Sequence, residues 1–109
     1  MSKSPITCHV LDSSIGRPAS GVAIRLQQLE VSTATDGLEI FHPLATGYTN
    51  SDGRCLDLLP SVGSEEEKTE KTALQAGQTY KIIFKTKEYF EQNNRTSFYP
   101  WVEVSQTYL

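Results

Sequence analysis

Histidine is scarce in this chain, whose 109 residues include only His9 and His42. Zinc sites usually draw three or four His, Cys or carboxylate ligands from clustered positions, and the sequence offers no such spacing. The Gly-x-Ser-x-Gly pattern of a nucleophilic serine and a Gly-rich phosphate loop are also missing. The sequence therefore predicts no metal site and disfavours catalysis through a covalent intermediate.

Excess positive charge and long apolar runs are lacking as well. The formal net charge is -3 and the sequence pI is about 5.3, which gives no electrostatic support for binding nucleic acid or an anionic membrane. No apolar run approaches the roughly 20 residues that a membrane-spanning helix needs. Residues 1–5 are short and polar, without the apolar stretch of a secretory signal. We therefore expect a cytoplasmic protein with no nucleic-acid or membrane partner.

Cysteine is limited to Cys8 and Cys55, each in an apolar, strand-like stretch. Because the chain is expected to be intracellular, the two residues are interpreted as half-buried free thiols. A disulfide is the alternative, and it requires an oxidising compartment.

Alternating apolar residues predict strands along most of the chain. In the opening stretch Ile6, Cys8 and Val10 share one face, which places His9 on the other. The predicted strands cover 6–11, 22–27, 40–49 (interrupted at Pro43 and Gly47), 54–58, 79–85 and 98–108. Short strands separated by regular turn signals predict a single domain over residues 1–109, an all-β antiparallel sandwich with one short helix.

The short helix is predicted over 86–91, with the Thr86 hydroxyl as its cap and with Tyr89 and Phe90 anchoring it to the sheet. The acidic stretch over 60–77 is interpreted as a solvated loop or a frayed helical turn.

Two residues are candidates for chemistry, and each has a structural alternative. If Ile6, Cys8 and Val10 fill the core, His9 points outward, where an imidazole can act as a general base near neutral pH. The alternative is a structural histidine. Arg54 follows the tight Asn50–Gly53 turn and is either a surface arginine or a binder of a polar carbonyl, because a guanidinium offers a rigid fork of donors. His42, before Pro43, is expected at a loop or edge without a role.

Asp12 and Asp52 flank turns, and we expect their side chains to hydrogen-bond to their own backbone.

Three stretches of this chain resemble the transthyretin and 5-hydroxyisourate hydrolase superfamily. They are His9-Val10-Leu11-Asp12 with Gly16-Arg17-Pro18-Ala19 and Gly21-Val22-Ala23, then Thr49-Asn50-Ser51-Asp52-Gly53-Arg54, and finally Tyr89-Phe90 with Phe98-Tyr99-Pro100. The hydrolase branch carries a histidine in the opening strand and an arginine after the hairpin. The resemblance therefore assigns the chain to that branch through His9 and Arg54.

The resemblance implies a transthyretin-like fold and a reaction. Enzymes of this branch hydrolyse 5-hydroxyisourate to 2-oxo-4-hydroxy-4-carboxy-5-ureidoimidazoline, without a metal or cofactor, in a cleft between subunits of a homotetramer. The resemblance also implies that His9 activates or orients water, and that Arg54 binds the substrate and stabilises charge on the carbonyl oxygen of the substrate.

The resemblance is incomplete at the C-terminal end. Family members continue into two further strands, which carry a His-Tyr-His-Val-Pro-like segment and end in Tyr-Arg-Gly-Ser. This sequence stops at Leu109 before either feature. We therefore expect a chain that is C-terminally incomplete relative to the family, without its third active-site histidine, and with one side of the opening strand unpaired.

Alternatives to the hydrolase remain open at this point. The chain could be a non-catalytic transthyretin-like module that binds a small ligand, or an inactive truncated homologue that associates with full-length subunits. Peroxisomal location is the alternative to the cytoplasm.

Overall fold

The structure is a computed structural model that describes residues 4–31, 37–60, 62–70 and 73–109. Its strands are β1 (Cys8–His9), β2 (Leu11–Asp12), β3 (Arg17–Pro18), β4 (Ala23–Val31), β5 (Glu39–Tyr48), β6 (Arg54–Cys55), β7 (Thr79–Phe84) and β8 (Val102–Thr107). Its helices are α1 (Glu65–Glu70) and α2 (Thr86–Gln92). The predicted antiparallel β architecture is confirmed, with two short helices where one was expected.

The largest sheet has the antiparallel strand order β5-β4-β7-β8. The alternation predicted before and along β4 is confirmed, because Val22, Ile24 and Leu26 are buried while Arg25 is exposed. The main core cluster lies on the inner face of this sheet. Its buried members are Ile24, Leu26, Cys55, Leu58, Leu59 and Tyr80.

The predicted interruption of β5 is wrong. The strand is continuous over Glu39–Tyr48, and the irregularity is a bulge: Leu26 pairs with Ala45 while Gln27 pairs with Pro43. One residue of β5, Leu44, is left without a partner, as in a β-bulge. Pro43 is tolerated because β5 is an edge strand, where a residue without an N–H can face away from the ladder.

The opening strand was predicted as one piece over 6–11, but it forms two short strands. β1 pairs with β6, whereas β2 pairs with β3. Val10 lies between them and bonds to both partners: its N–H donates to the Gly53 carbonyl at 2.7 Å, and its carbonyl accepts from the Ala19 N–H at 2.9 Å. In the described residues, β1 has a pairing partner on one side only.

Thr49 connects the small sheets to the large one. Its buried hydroxyl accepts from the Val22 N–H at 2.9 Å and donates to the Ala19 carbonyl at 2.6 Å. A hydroxyl can do both, so a single side chain satisfies backbone groups of two segments in the interior.

Helix α2 occupies the predicted position, but its predicted cap is wrong. The N-cap residue is Lys85, which makes no side-chain capping bond, and the Thr86 hydroxyl is buried with no hydrogen-bond partner among the described residues. Tyr89 is buried against Ala19 and Val22, and Phe90 packs on the same cluster, so the predicted anchor to the sheet is confirmed.

Helix α1 lies inside the acidic stretch, where a loop or frayed helical turn was expected. The Ser64 hydroxyl accepts from the Glu67 N–H at 3.1 Å, and the Glu67 carboxylate accepts from the Gly63 N–H at 2.9 Å. This reciprocal capping satisfies donors that a short helix leaves unpaired.

Strand β8 starts later than predicted, at Val102, and lies at the edge of the large sheet. Trp101, Val102 and Val104, expected as its large apolar members, are exposed. None of the helices in the described part of the chain is long and apolar enough to cross a membrane.

Candidate active site

His9 and Arg54 are direct cross-strand partners. They occupy β1 and β6, whose antiparallel register pairs His9 with Arg54 and Cys8 with Cys55. Residues that face each other in a ladder project their side chains to the same side. Both His9 and Arg54 are exposed, while Cys55 on the opposite face is buried in the core. The outward orientation predicted for His9 is therefore confirmed.

The hydrogen-bond pattern places the two side chains in the closer type of cross-strand pair. The Val10 N–H donates to the Gly53 carbonyl, so Val10 and Gly53 occupy a hydrogen-bonded position of the ladder. Hydrogen-bonded and non-hydrogen-bonded pairs alternate, and the neighbouring His9–Arg54 pair is thus non-hydrogen-bonded, with Cα atoms about 4.5 Å apart. A small molecule can contact the imidazole and the guanidinium at once.

The turn before Arg54 is built around Asn50. Its carboxamide oxygen accepts from the Asp52 N–H at 2.9 Å and from the Arg54 N–H at 3.0 Å. Its backbone N–H donates to the Arg54 carbonyl at 2.8 Å, and its carbonyl accepts from the Gly53 N–H at 2.9 Å. These four bonds fix the backbone of Arg54. The side-chain bond was expected from Asp52, but Asn50 supplies it.

Gly53 brings the turn against the opening strand. Its φ is 76°, and a Cβ atom at this position would lie 2.3 Å from the Val10 carbonyl oxygen. Only glycine permits both this backbone conformation and this contact. The spacing between the strands of His9 and Arg54 therefore depends on a glycine.

Asp12 makes the predicted bond to its own turn, because its carboxylate accepts from the Ser14 N–H at 3.1 Å. It also accepts from the Tyr89 hydroxyl at 2.9 Å and pairs with the Arg95 guanidinium at 2.6 Å. Hydrogen bonds from Ser14, then from Arg95, hold the pKa of the Asp12 carboxyl well below its usual range. The contact with Arg95 was not predictable, since Arg95 lies 83 residues from Asp12 and no local sequence pattern connects the two.

His9 and Arg54 have side chains that make no hydrogen bond or ion pair with other described residues. His42, by contrast, lies in edge strand β5 and pairs with Glu30, in line with its predicted edge position. A free imidazole and a free guanidinium on one face can accept a proton from water and donate to a developing oxyanion. Within the described residues there is no group of three His, Cys, Asp or Glu side chains able to hold a metal ion.

A cleft lies beside the opening segment and the end of β8. It has a volume of about 720 Å³ and is lined by Pro5, Ile6, Thr7, Leu74, Tyr80, Ile82, Val104, Gln106, Thr107, Tyr108 and Leu109. Neither this cleft nor a smaller one of about 300 Å³ beside Arg25 and Lys85 includes His9 or Arg54. Because both side chains are exposed, the His9–Arg54 pair lies on an open face of the described part of the chain.

Comparison with known proteins identifies the family of the chain. The model of the HIUase/Transthyretin family matches residues 6–108. The chain belongs to this family. It is 40% identical over 101 residues to the 5-hydroxyisourate hydrolase of Mus musculus, a match that covers 93% of this chain and 72% of that protein. It is 35% identical over 99 residues to the enzyme of the same name from Salmonella typhi, covering 91% of this chain and 60% of that protein.

Solved structures of the HIUase/Transthyretin family share the fold. Transthyretin from Sparus aurata superposes with a TM-score of 0.71 at 25% identity, covering 94% of this chain and 74% of that one. The 5-hydroxyisourate hydrolase of Klebsiella pneumoniae gives a TM-score of 0.66 at 22% identity, covering 98% and 78%. The chain spans 60% of the Salmonella relative and 72% of the mouse relative, so each of these relatives is longer.

Proposed function

We propose that this chain hydrolyses 5-hydroxyisourate to 2-oxo-4-hydroxy-4-carboxy-5-ureidoimidazoline. The observation that carries the proposal is the exposed His9–Arg54 pair, which the register of β1 and β6 brings together from distant parts of the chain. Relatives at 35–40% identity that bear the name 5-hydroxyisourate hydrolase support it.

In the proposed mechanism the two side chains divide the work. His9 accepts a proton from water as the water oxygen adds to the ring carbonyl carbon, and it returns the proton to the departing nitrogen when the ring opens. Arg54 donates hydrogen bonds to the carbonyl oxygen, which becomes negative during addition. A guanidinium stays protonated throughout, so its charge is available at every step.

We also propose that the active form is a homotetramer, in which a neighbouring subunit covers the open face that bears His9 and Arg54. An oxyanion is stabilised far more strongly where water is excluded. The open face of one subunit does not exclude water, so a covering subunit would improve the site. For the compartment, the cytoplasm remains our prediction, with the peroxisome as the alternative.

The decisive experiment follows the decay of 5-hydroxyisourate freshly made from urate. We expect purified protein to accelerate the decay, and His9→Ala to slow the catalysed rate by about 100-fold or more, the usual contribution of a general base. His42→Ala is the matched control, since it removes the other histidine from an exposed edge strand and should leave the rate unchanged.

Arg54 is tested in the same assay. Arg54→Lys keeps the charge but loses the planar fork of donors, so we expect a loss of about 100-fold, comparable to removal of one oxyanion donor. Arg25→Lys, on an exposed position of β4, is the control. Full activity of His9→Ala or Arg54→Lys would refute the assigned roles, and binding of the substrate without acceleration would instead favour a small-ligand binding module.

A further inference from the structure

A pair of cysteines lies directly behind the His9–Arg54 pair. Cys8 and Cys55 are cross-strand partners in the same two strands, on the inner face. Cys55 is 1% exposed, and the half-buried Cys8 packs against the core cluster that contains it. Both thiols are free. The proposed mechanism uses neither of them.

The backbone geometry is compatible with a bond between the two sulfurs. Because the His9–Arg54 pair is non-hydrogen-bonded, the adjacent Cys8–Cys55 pair is hydrogen-bonded, with Cα atoms about 5.5 Å apart. Disulfides form between Cα atoms roughly 4.4–6.8 Å apart. The Cα separation expected for Cys8 and Cys55 therefore falls within the range that a disulfide spans.

We propose that Cys8 and Cys55 form a redox modification site, in which a small peroxide converts the two thiols to a reversible cross-strand disulfide behind the candidate active site. A small oxidant is needed because Cys8 is half-buried and Cys55 is enclosed by the core. The Cys55 sulfur lies so close to Gly47 that a Cβ atom added at Gly47 would be only 3.0 Å from it.

The reaction has two steps and consumes one hydrogen peroxide. Cys8 first releases its proton, and the thiolate sulfur attacks one peroxide oxygen. The O–O bond breaks, Cys8 becomes a sulfenic acid, and the departing hydroxide takes up the released proton to form water. The Cys55 sulfur then attacks the Cys8 sulfur, the S–O bond breaks, and a second water leaves with the proton of Cys55. Two thiols are oxidised by two electrons while the peroxide is reduced to two waters.

Burial makes the first step slow. It raises the pKa of the Cys8 thiol to about 11, with a smaller contribution from the neighbouring Cys55. Burial also raises the pKa of Cys55, whose sulfur lies 3.9 Å from a carboxylate oxygen of Asp57. Only a small fraction of either residue is thiolate near neutral pH, so oxidation requires sustained exposure to peroxide rather than a brief pulse.

The test is mass spectrometry of the purified chain after peroxide treatment and alkylation of the remaining thiols. We expect most of the protein to lose the mass of two hydrogen atoms, to resist alkylation, and to give a linked Cys8–Cys55 peptide that dithiothreitol separates. Cys8→Ala should abolish the linkage. The wild-type peptide map does not depend on any variant folding.

Other products would overturn the proposal. Addition of oxygen atoms to one cysteine, a disulfide between chains, or two thiols that stay open to alkylation would each show that the pair does not close. This readout is independent of catalysis and stands even if the proposed hydrolase activity fails.

A second readout rests on the proposed function. A disulfide behind the His9–Arg54 pair constrains the spacing of their strands, and a displacement of about 1 Å can cost 100-fold in rate. We expect peroxide to lower the rate of 5-hydroxyisourate decay reversibly in the wild type and not in Cys8→Ala. An oxidised protein that is linked at Cys8 and Cys55 but fully active would refute the coupling.

Discussion

Gly53 shows how one residue without a side chain shapes the candidate site. Its carbonyl accepts from Val10, its N–H donates to Asn50, and its α-carbon faces the Val10 carbonyl. The sequence motif identified this glycine as part of a turn. The contact with the opening strand was not predictable from the motif, because it joins residues that are far apart along the chain.

Gly53→Ala should therefore damage both stability and activity. A φ of 76° costs an alanine about 1–2 kcal/mol, and the added Cβ also collides with backbone that has to move. Gly63→Ala is the control, since Gly63 has a φ of 78° with nothing within 4 Å of an added Cβ. Urea unfolding should show a larger loss for Gly53→Ala, and equal losses would mean that the close contact is unimportant.

The residues of the candidate site differed in how far the sequence revealed them. His9 and Arg54 were predicted from alternation and from the resemblance, and the structure places them side by side. Their catalytic roles stay predictions. Asn50 was seen as a turn former, but its four bonds to the turn were not foreseen, because the sequence does not show which of Asn50 and Asp52 accepts the backbone N–H groups.

At the scale of elements, the carboxylate of Asp12 ties the β2–β3 hairpin to helix α2 through Tyr89 and to the segment after that helix through Arg95. Its side chain is almost fully buried and its oxygens accept four hydrogen bonds, two of them from Ser14. A buried carboxylate with this many donors stabilises the fold only while it is ionised.

This contact predicts a loss of stability in acid. The pKa of Asp12 is lowered in the folded state, so the unfolded chain binds the proton more readily. The stabilisation is fully present above about pH 5, and it declines as the pH falls below the unfolded pKa of roughly 3.9 towards the folded one.

Asp12→Asn tests that prediction. Urea unfolding should show a loss of about 1–3 kcal/mol at neutral pH, because Arg95 and Tyr89 lose an ionised partner, and a weaker dependence of stability on pH in acid. Asp52→Asn is the matched control at an exposed turn position and should change stability by less than about 0.5 kcal/mol. If the free energy of unfolding depended on pH identically in the wild type and in Asp12→Asn, the acid sensitivity would not come from Asp12.

Elements with a clear period were predictable, and their irregularities were not. Alternation found the first part of β4, where Ile24 and Leu26 are buried and Arg25 is exposed, but not its continuation to Val31. The bulge at Leu44 was read as a break, because Pro43 disrupts the local pattern and the sequence does not reveal that β5 is an edge strand. The sequence did contain a pattern that predicts the start of helix α1, because Ser64 and Glu67 are three residues apart, as in a capping box.

On the scale of the whole molecule, the C-terminal part exposes large apolar side chains. Phe98 is 92% exposed and Trp101 47%, and β8, which follows them in the chain, has one edge with no partner strand among the described residues. A regular edge strand with exposed apolar neighbours is a ready surface for pairing with another chain. This arrangement supports self-association through β8.

The position of the outward N–H groups on β8 allows a sharp test. The Tyr108 N–H donates to the Gln78 carbonyl, so the alternate residues Glu103, Ser105 and Thr107 direct theirs away from β7. Ser105→Pro removes one outward donor without breaking the ladder to β7, while Ser105→Ala retains it.

In sedimentation velocity we expect the wild type and Ser105→Ala to form oligomers and Ser105→Pro to shift towards the monomer. Circular dichroism should show that the proline variant stays folded. An unchanged oligomer in a folded Ser105→Pro would mean that subunits do not meet at this edge.

The pairing of β1 with β6 also affects the order in which parts of the chain fold. β4 and β5 are consecutive in the chain and can pair locally, whereas β1 and β6 are separated in the chain by β2 to β5. Closing so long a loop carries a larger entropic cost, and contacts between distant segments form slowly. When the denatured chain is diluted into buffer, the β4–β5 pair should form first. His9 and Arg54 should meet only afterwards, so the ability to act on a substrate would return later than this first β-structure.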